Sequence, residues 1–478
     1  VEPVDTGPRG HHVDVVRTID ALPPGLWQRL APPHDPMWSP AVFTAMERGH
    51  LGPEGYAYLV VYENLVYEDS LSEKALSERA GYEEVAGDGR RGGGAGLGDG
   101  GRIRPLLRSR PRPRLLDVEP YRDGRVPVAV LPLCLFRSLR LDAVVGPRER
   151  RVLAPLRRLA PRLLRVPMLL CGHLLGQGHV LSARPLTAPL ARVLVRAVID
   201  FARRERLGTV VLKDFAPEAL APWDAVLREA GFFLAPGLPD TELRLDPDGP
   251  PDAGAGAGSL FDAYVASLPP TPRRNARRNM RTHAAHPGLR TETVEDFAHL
   301  IPEMLGLYGQ VMERADQTLD VIDAAFLHAL NADRDNCLVA CFHGRRLVAF
   351  LLCLFTGEGA TGARIGLDYS LAHRARLYHH VHYAAIRLAL SRGCRRIRFA
   401  QTAYTPKTEM GCALVEQTYA LTHVRRLPRA VLRTLLPDAL AAARDRALGR
   451  SGRGTGPARQ TGTTASGPGQ EGGKPCPE

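Results

Sequence analysis

The chain has 478 residues, 44% of them hydrophobic, with a formal charge of +12 and a pI near 9.6. That length allows about two to four domains, and the basic balance points to an anionic partner such as phosphate or nucleic acid. The longest apolar run, residues 347–355, is too short for a membrane-spanning helix, and no charged-then-apolar leader opens the sequence.

The basicity is discounted by an abundance of Arg, Ala, Gly and Pro, which GC-rich coding produces without functional demand. Eight cysteines (134, 171, 337, 341, 353, 394, 412 and 476) include no CxxC pair and no histidine cluster at zinc-ligand spacing. No metal site is therefore expected, and a reduced, cytoplasmic setting is the expectation.

In chain order, residues 56–62 read as a strand, followed by a low-complexity insertion at 63–119. Its Gly-rich (92–101) and Arg/Pro-rich (102–114) stretches predict disorder. A Gly124 turn then leads into the apolar strand 126–136. An apolar-periodic helix at 193–206 ends near Gly208, and a short strand follows at 207–212. The Gly-Ala run in 247–258 reads as a linker.

Beyond it, the pattern predicts helices at 259–268 and 271–285, the second Arg-rich, with Thr271 as N-cap and Pro272 in its first turn. A strand at 290–294 and helices at 296–314 and 323–332 come next. A hairpin at 337–356 turns at Gly344, with Cys337 and Cys341 on one face of its first strand. Strand 362–369, helix 378–391 and strand 396–400 lead to a loop carrying Lys407. Strand 417–424, a helix at 427–448 and a disordered Gly/Ser/Thr/Pro tail complete the chain.

Two stretches repeat. Val126-Pro-Val-Ala-Val-Leu-Pro-Leu-Cys-Leu-Phe136 parallels Arg346-Leu-Val-Ala-Phe-Leu-Leu-Cys-Leu-Phe355, and the helix–Gly–strand module at 193–212 parallels that at 378–399. Two modules in the same order argue for duplication. The predicted fold class is α+β, layered: a first unit at 1–62 plus 120–246, and a second at 259–426. A C-terminal helix at 427–449 and a tail at 450–478 follow.

Four lysines, Lys74, Lys213, Lys407 and Lys474, stand among 63 Lys and Arg. A lysine on a loop leaving a strand end can place one point charge or shift its pKa, which makes Lys407 a candidate for chemistry. The first unit has Phe215-Ala-Pro-Glu218 in the matching loop, so chemistry confined to one copy belongs to the second. Arg273, Arg274, Arg277, Arg278 and Arg281 crowd neighbouring stripes of one helix without acidic partners inside the segment, which favours an external anion held by guanidinium forks. Arg374 and Arg376 precede a helix, where a phosphate can sit. Asp368 closes a strand and could orient or deprotonate an amine. Each also reads as an ordinary solvated arginine or a turn-forming Asp. His379, His380 and His382 point apart on a helix and read as packing residues.

The order of these motifs resembles the tandem GNAT-fold acyltransferases related to the FemABX peptidyltransferases. The resemblance is carried by Ser267-Leu-Pro-Pro-Thr-Pro-Arg-Arg-Asn-Ala-Arg-Arg-Asn-Met-Arg281, Leu305-Gly-Leu-Tyr308 with Arg314, Gly366-Leu-Asp-Tyr369, Leu377-Tyr-His-His-Val-His-Tyr383 and Lys407-Thr-Glu-Met-Gly411. Met37-Trp-Ser-Pro40 and Leu131-Pro-Leu133 resemble the first unit of such proteins.

The resemblance implies two GNAT-like units and transfer of an acyl group from acyl-CoA to an amine acceptor by direct attack. Lys407 would stabilise the oxyanion or a donor phosphate, Asp368 would serve as base, and the arginines would hold the anionic donor or acceptor. Tyr378 and Tyr404 would line the pocket. It implies no tightly bound cofactor. The partners are an anionic acyl donor and a small-molecule amine, with oligomeric state left open. The chain lacks the Gln/Arg-x-x-Gly-x-Gly/Ala loop of ordinary acetyltransferases. A Fem-type transferase using aminoacyl-tRNA is thus the second reading, and a non-catalytic nucleic-acid- or partner-binding module the third.

Overall fold

A computed structural model of the chain describes residues 2–5, 11–64, 125–140, 165–245, 257–314 and 321–449. The first half contributes strands β1 (Glu2–Asp5), β2 (His11–Val16), β3 (Gly55–Asn64), β4 (Arg125–Arg140), β5 (Arg165–Cys171), β6 (Leu181–Ser182), β7 (Thr209–Phe215), β8 (Phe233–Pro236) and β9 (Asp240–Arg244). The second half contributes β10 (Leu289–Val294), β11 (Cys337–His343), β12 (Arg346–Phe355), β13 (Gly359–Leu367), β14 (Arg396–Arg398), β15 (Ala413–Val415) and β16 (Thr418–His423).

These strands form two sheets with one layout. The nine-stranded sheet runs β1-β2-β3-β4-β5-β7-β16-β8, with β6 beside β4, and the seven-stranded sheet runs β10-β11-β12-β13-β14-β9-β15. Each has an antiparallel meander, then one parallel step, β5 to β7 or β13 to β14. A parallel step needs a crossover, supplied by the helices Ala188–Arg204 and Leu377–Ser391. The α+β duplication read from the sequence is thus present as a repeated topology.

The halves interlock. Strand β16, from the end of the chain, pairs antiparallel with both β7 and β8. Strand β9, from the first half, pairs antiparallel with both β14 and β15. Each sheet is therefore closed by a strand from the other half of the chain, and neither sheet is complete within one half.

Burial follows the layers. One face of the first sheet packs on the helix Ala188–Arg204 through Leu194, Val198 and Phe201. One face of the second packs on the helices Ala257–Ser267 and Leu377–Ser391 through Phe261, Val381, Ile386 and Phe399. The remaining faces share a single core. In it Trp27, Trp38, Phe43 and Tyr58 join Phe297, Met304, Phe326, Phe350 and Leu352, and the helices Pro40–Arg48 and Ala324–Asn331 pack together. Cys337 and Cys341 are both buried, as their shared strand face implies. The seven described cysteines are free.

Three local expectations need correction. Lys407 lies in a short helix, Tyr404–Glu409, rather than on a loop; Pro406 is tolerated because it falls in the first turn. The Arg-rich helix starts at Pro270 with Pro269 as N-cap, ahead of Thr271, because proline at the first helical position has a preset φ and no N–H to satisfy. Strand β14 stops at Arg398, two residues early, because Ala400 turns left-handed at φ 56°. The insertion expected at 63–119 lies outside the described residues from residue 65 on. So do most of the 247–258 linker and the whole tail.

Candidate active site

The parallel step of the second sheet opens into a gap. Strand β13 pairs with β14 only through Gly359–Arg396, Ala360–Ile397 and Thr361–Arg398. It then continues to Leu367, hydrogen-bonded on its other side to β12. Along residues 362–367 the edge facing β14 has no β-ladder partner among the described residues. The chain leaving β14 turns inward at Phe399, whose ring packs over Gly362; a Cβ there would lie 2.7 Å from Phe399 Cδ1. His382 lies 4.8 Å from the Phe399 ring and 4.2 Å from the Tyr378 ring, centroid to centroid. Burial lowers the His382 pKa to about 3, so this histidine is neutral and packs, in line with its sequence reading.

In the first sheet the same gap is filled by the chain itself. After β5 pairs with β7 through Cys171–Leu212, Gly172 turns the chain out at φ 104°. The chain returns at Gly178, whose N–H donates to the Asp214 carbonyl at 2.8 Å and which bridges Phe215 in parallel. Only glycine fits this approach, since a Cβ would sit 2.2 Å from the Lys213 carbonyl oxygen. His173 locks the loop. Its Nδ1 accepts from the Leu175 and Gly176 N–H groups at 2.9 Å each, and its Nε2 donates to the Met37 carbonyl at 2.7 Å. Burial takes its pKa down to about 3, as this neutral donor–acceptor arrangement requires.

At the mouth of the open gap stands the segment from Asp368 to the helix Leu377–Ser391. Arg374 and Arg376 are exposed there, and Arg376 sits at φ 53° as the helix N-cap. The Arg-rich helix Pro270–Ala284 is fastened beside this segment. His283 is bonded to the Ala375 carbonyl at 3.0 Å, and its ring stacks on His380 with centroids 3.3 Å apart. A groove of about 670 Å3 on this helix is lined by Pro270, Arg273, Arg274, Arg277, Met280 and Arg281. Arg274 reaches Thr271 and Arg278 reaches Asn275. None of the five guanidiniums has a carboxylate partner among the described residues. The arginine cluster and the Arg374/Arg376 segment are therefore neighbours.

Asp368 is 5% exposed and both its oxygens are engaged. Oδ1 accepts from Ser370 N and Oγ at 2.9 and 2.6 Å, and Arg346 donates to Oδ2 at 2.5 Å. Burial pushes its carboxyl up, but these partners together hold it below the usual carboxylate range. Such a group stays ionised and orients its neighbours; it is a weak proton acceptor near neutrality.

Lys407 is 4% exposed. Its Nζ donates to the carbonyls of Phe399, Ala400 and Gln401 at 2.5, 2.9 and 3.1 Å, which uses all three of its N–H groups. Burial lowers its pKa to about 8, against the pull of Asp240. The turn it grips contains three left-handed non-glycine residues, Ala400, Thr402 and Ala403, so the lysine holds strained backbone at the end of β14. Tyr404 donates to the Pro239 carbonyl at 2.9 Å. The Tyr378 hydroxyl is buried without a partner among the described residues.

A polar cluster at the seam between the halves escaped the sequence reading. Arg398 Nη1 donates to Asp35 Oδ2 at 2.9 Å and Gln177 Oε1 at 2.7 Å, and its Nε donates to Glu242 at 2.9 Å. Asp240, beside it, is pushed up to about 6 by burial, against the pulls of Arg398, the Thr241 N–H and Lys407. Arg398, Gln177 and Glu242 border a cavity of about 450 Å3 together with His34 and His179. The alternation Arg396-Ile-Arg398 does signal a charged strand face. Its partners, however, come from residues 35, 177 and 242, and nothing in a single sequence joins them.

No group of His, Cys, Asp and Glu suited to a metal occurs among the described residues, and no helix among them is long and apolar enough to cross a membrane. No family model and no curated protein matches the chain. Solved structures similar to it include a tandem GNAT protein from the clavulanic acid biosynthesis pathway, 11% identical, covering 87% of this chain and 99% of that one, with a TM-score of 0.42. FemX is 11% identical over 66% of this chain and 88% of its own, with a TM-score of 0.42. L-PGS from Bacillus licheniformis is 9% identical over 67% of this chain and 87% of its own, with a TM-score of 0.39. The solved structures similar to this chain thus include tandem GNAT and Fem proteins, the group its motifs resemble.

Proposed function

We propose that the chain is an N-acyltransferase that moves an acyl group from an activated anionic donor, acyl-CoA, to an amine acceptor in the gap between β13 and β14. The observation that carries this reading is the contrast between the two gaps: residues 362–367 present a strand edge with no β-ladder partner among the described residues, while Gly178 fills its counterpart. An unpaired edge offers backbone N–H and C=O groups to an extended, amide-bearing ligand. The helix N-terminus with Arg374 and Arg376 supplies positive charge for the donor's anionic end.

In this reading the amine attacks the donor's acyl carbon directly. The tetrahedral intermediate forms beside the turn 399–401, and the donor's leaving group departs with the acceptor's proton. Lys407 acts by holding that turn in place and by its buried charge, since its N–H groups are already committed. Asp368 orients the mouth of the gap through Ser370 and Arg346. A second reading, with aminoacyl-tRNA as donor, is favoured by the arginine strip. Arg273 to Arg281 spans roughly 12 Å of helix, longer than one diphosphate needs and suited to successive phosphates.

The test is a transfer assay with panels of acyl-CoA and aminoacyl-tRNA donors and simple amines, with and without ribonuclease. Product from a CoA donor that ribonuclease leaves unchanged, with donor KM raised about tenfold or more by the double change Arg374→Ala and Arg376→Ala, supports the first reading. Ribonuclease-sensitive product supports the second. Absence of product from every donor, with salt-sensitive RNA binding intact, would refute both and leave a binding module.

A further inference from the structure

The two gaps are wired together. Strand β14 parts from β13 after the pairing of Thr361 with Arg398, so the position of Arg398 fixes where the second gap opens. Ile397 lies in the core beneath the helix Leu377–Ser391, and Arg398, one residue on, faces the opposite way, towards the first half. Three acceptors hold its guanidinium. Glu242 is its cross-strand partner on β9 and receives Nε at 2.9 Å. Asp35 and Gln177 come from the first half and receive Nη1 at 2.9 and 2.7 Å.

Asp35 and Gln177 belong to one hydrogen-bonded unit. Asp35 Oδ1 accepts from the Met37 N–H at 3.1 Å, His173 Nε2 donates to the Met37 carbonyl at 2.7 Å, and Trp38 Nε1 donates to the Gln177 carbonyl at 3.1 Å. All five residues are buried. Gln177 directly precedes Gly178, so the chain that fills the first gap fixes where the Gln177 side chain stands. Residue 34 meets the other strand. A Cβ on Gly359, the first residue of β13, would lie 1.9 Å from the His34 carbonyl oxygen. Two neighbouring residues of the first half, His34 and Asp35, thus touch both strands at the closed end of the second gap.

We propose that Gln177, with Asp35, is a positioning residue for the second gap: through Arg398, the filled gap of the first half sets the splay of β13 and β14 and the place of the turn 399–401. Its consequence for transfer rests on reading that gap as the donor site. A buried ion pair is weak ground for stability, and fixing register is its best-attested use. A hydrogen-bonded network whose members are all buried is rigid. The turn follows Arg398 directly, so a shift of the guanidinium reaches the carbonyls that Lys407 grips.

The experiment compares the full chain with Gln177→Ala and Gln177→Glu. Alanine removes the tether and leaves the Trp38 bond, which uses the Gln177 backbone; glutamate keeps an acceptor oxygen for Arg398. Without donor, hydrogen–deuterium exchange at residues 396–401 should quicken about fivefold in Gln177→Ala, the effect of losing one hydrogen bond, and return towards wild type in Gln177→Glu. Thermal unfolding should shift by no more than about 4 °C. In the transfer assay kcat/KM for the donor should fall about tenfold with acceptor KM unchanged, since misplaced reacting groups lose rate, and glutamate should restore it. Unchanged exchange, or normal transfer despite quickened exchange, would overturn the proposal and leave the transferase reading standing. So would a loss that glutamate fails to restore, since general loosening of the packing would then explain it. Quickened exchange, restored by glutamate, in a chain that transfers from no donor would uphold the tether and refute the donor-site reading instead.

Discussion

Replacing Lys407 by methionine keeps the length of the side chain and removes its charge and all three donors. The carbonyls of Phe399, Ala400 and Gln401 then lose their shared partner. Of these, Ala400 alone has another bond among the described residues, from Thr241 Oγ1 at 2.7 Å. At the low end of the cost of leaving a buried acceptor unpaired, about 1 kcal/mol each for the Phe399 and Gln401 carbonyls, the variant should be destabilised by about 2 kcal/mol near neutral pH. The pH dependence sharpens this. The folded pKa of about 8 lies below the ordinary lysine value of 10.5, so between those values the unfolded state binds more protons, and wild-type stability rises with pH. Below pH 8 the group is charged in both states and its contribution is constant. The gap between wild type and variant should therefore widen above pH 8, by up to about 3 kcal/mol. Urea unfolding of both proteins from pH 7 to 10 measures it. Equal stability at pH 7 would show that the lysine does not hold the turn, and a pH-independent gap would show that its charge does not feel burial.

Arg398→Met should cost about 3–5 kcal/mol, because Asp35 would be left buried without its cation, whereas Glu242 keeps Arg396 at 3.6 Å; adding Asp35→Asn should restore part of the loss in the same unfolding assay. Asp240, with a folded pKa of about 6 against 3.8, binds a proton more tightly folded than unfolded, so its contribution is greatest below pH 4 and falls as pH rises to 6. Asp240→Asn should flatten that fall, about 3 kcal/mol in wild type, and an unchanged stability–pH curve would contradict it. Gly178→Ala should destabilise by about 2 kcal/mol or more, or expel residues 172–179 from the first gap, read as faster proteolysis of that loop, because its Cβ would sit 2.2 Å from the Lys213 carbonyl oxygen.

The parts of this fold that sequence revealed are those written locally. The helix before β14, the Gly344 hairpin and the Arg-rich helix announce themselves by periodicity, turn chemistry and composition. The reciprocal exchange of β9 and β16 does not, because strands of five and six residues at the ends of the two halves look alike whichever sheet receives them. Sequence also picked Lys407 out by its rarity and left its partners hidden. Its environment depends on a left-handed turn built from Ala400, Thr402 and Ala403, residue types that give no warning of positive φ. The closed gap of the first half was likewise illegible: Gly172-His-Leu-Leu-Gly-Gln-Gly178 reads as a loop, and only the structure folds it back onto β7.

The gap between β13 and β14 is the proposed donor site. Hydrogen–deuterium exchange with and without saturating donor, read on peptides covering both gaps, tests this most directly. Binding should slow exchange at residues 362–367 and at the helix start near 374–380, and leave residues 168–180 unchanged. Protection confined to the first gap, or absent from both, would contradict it.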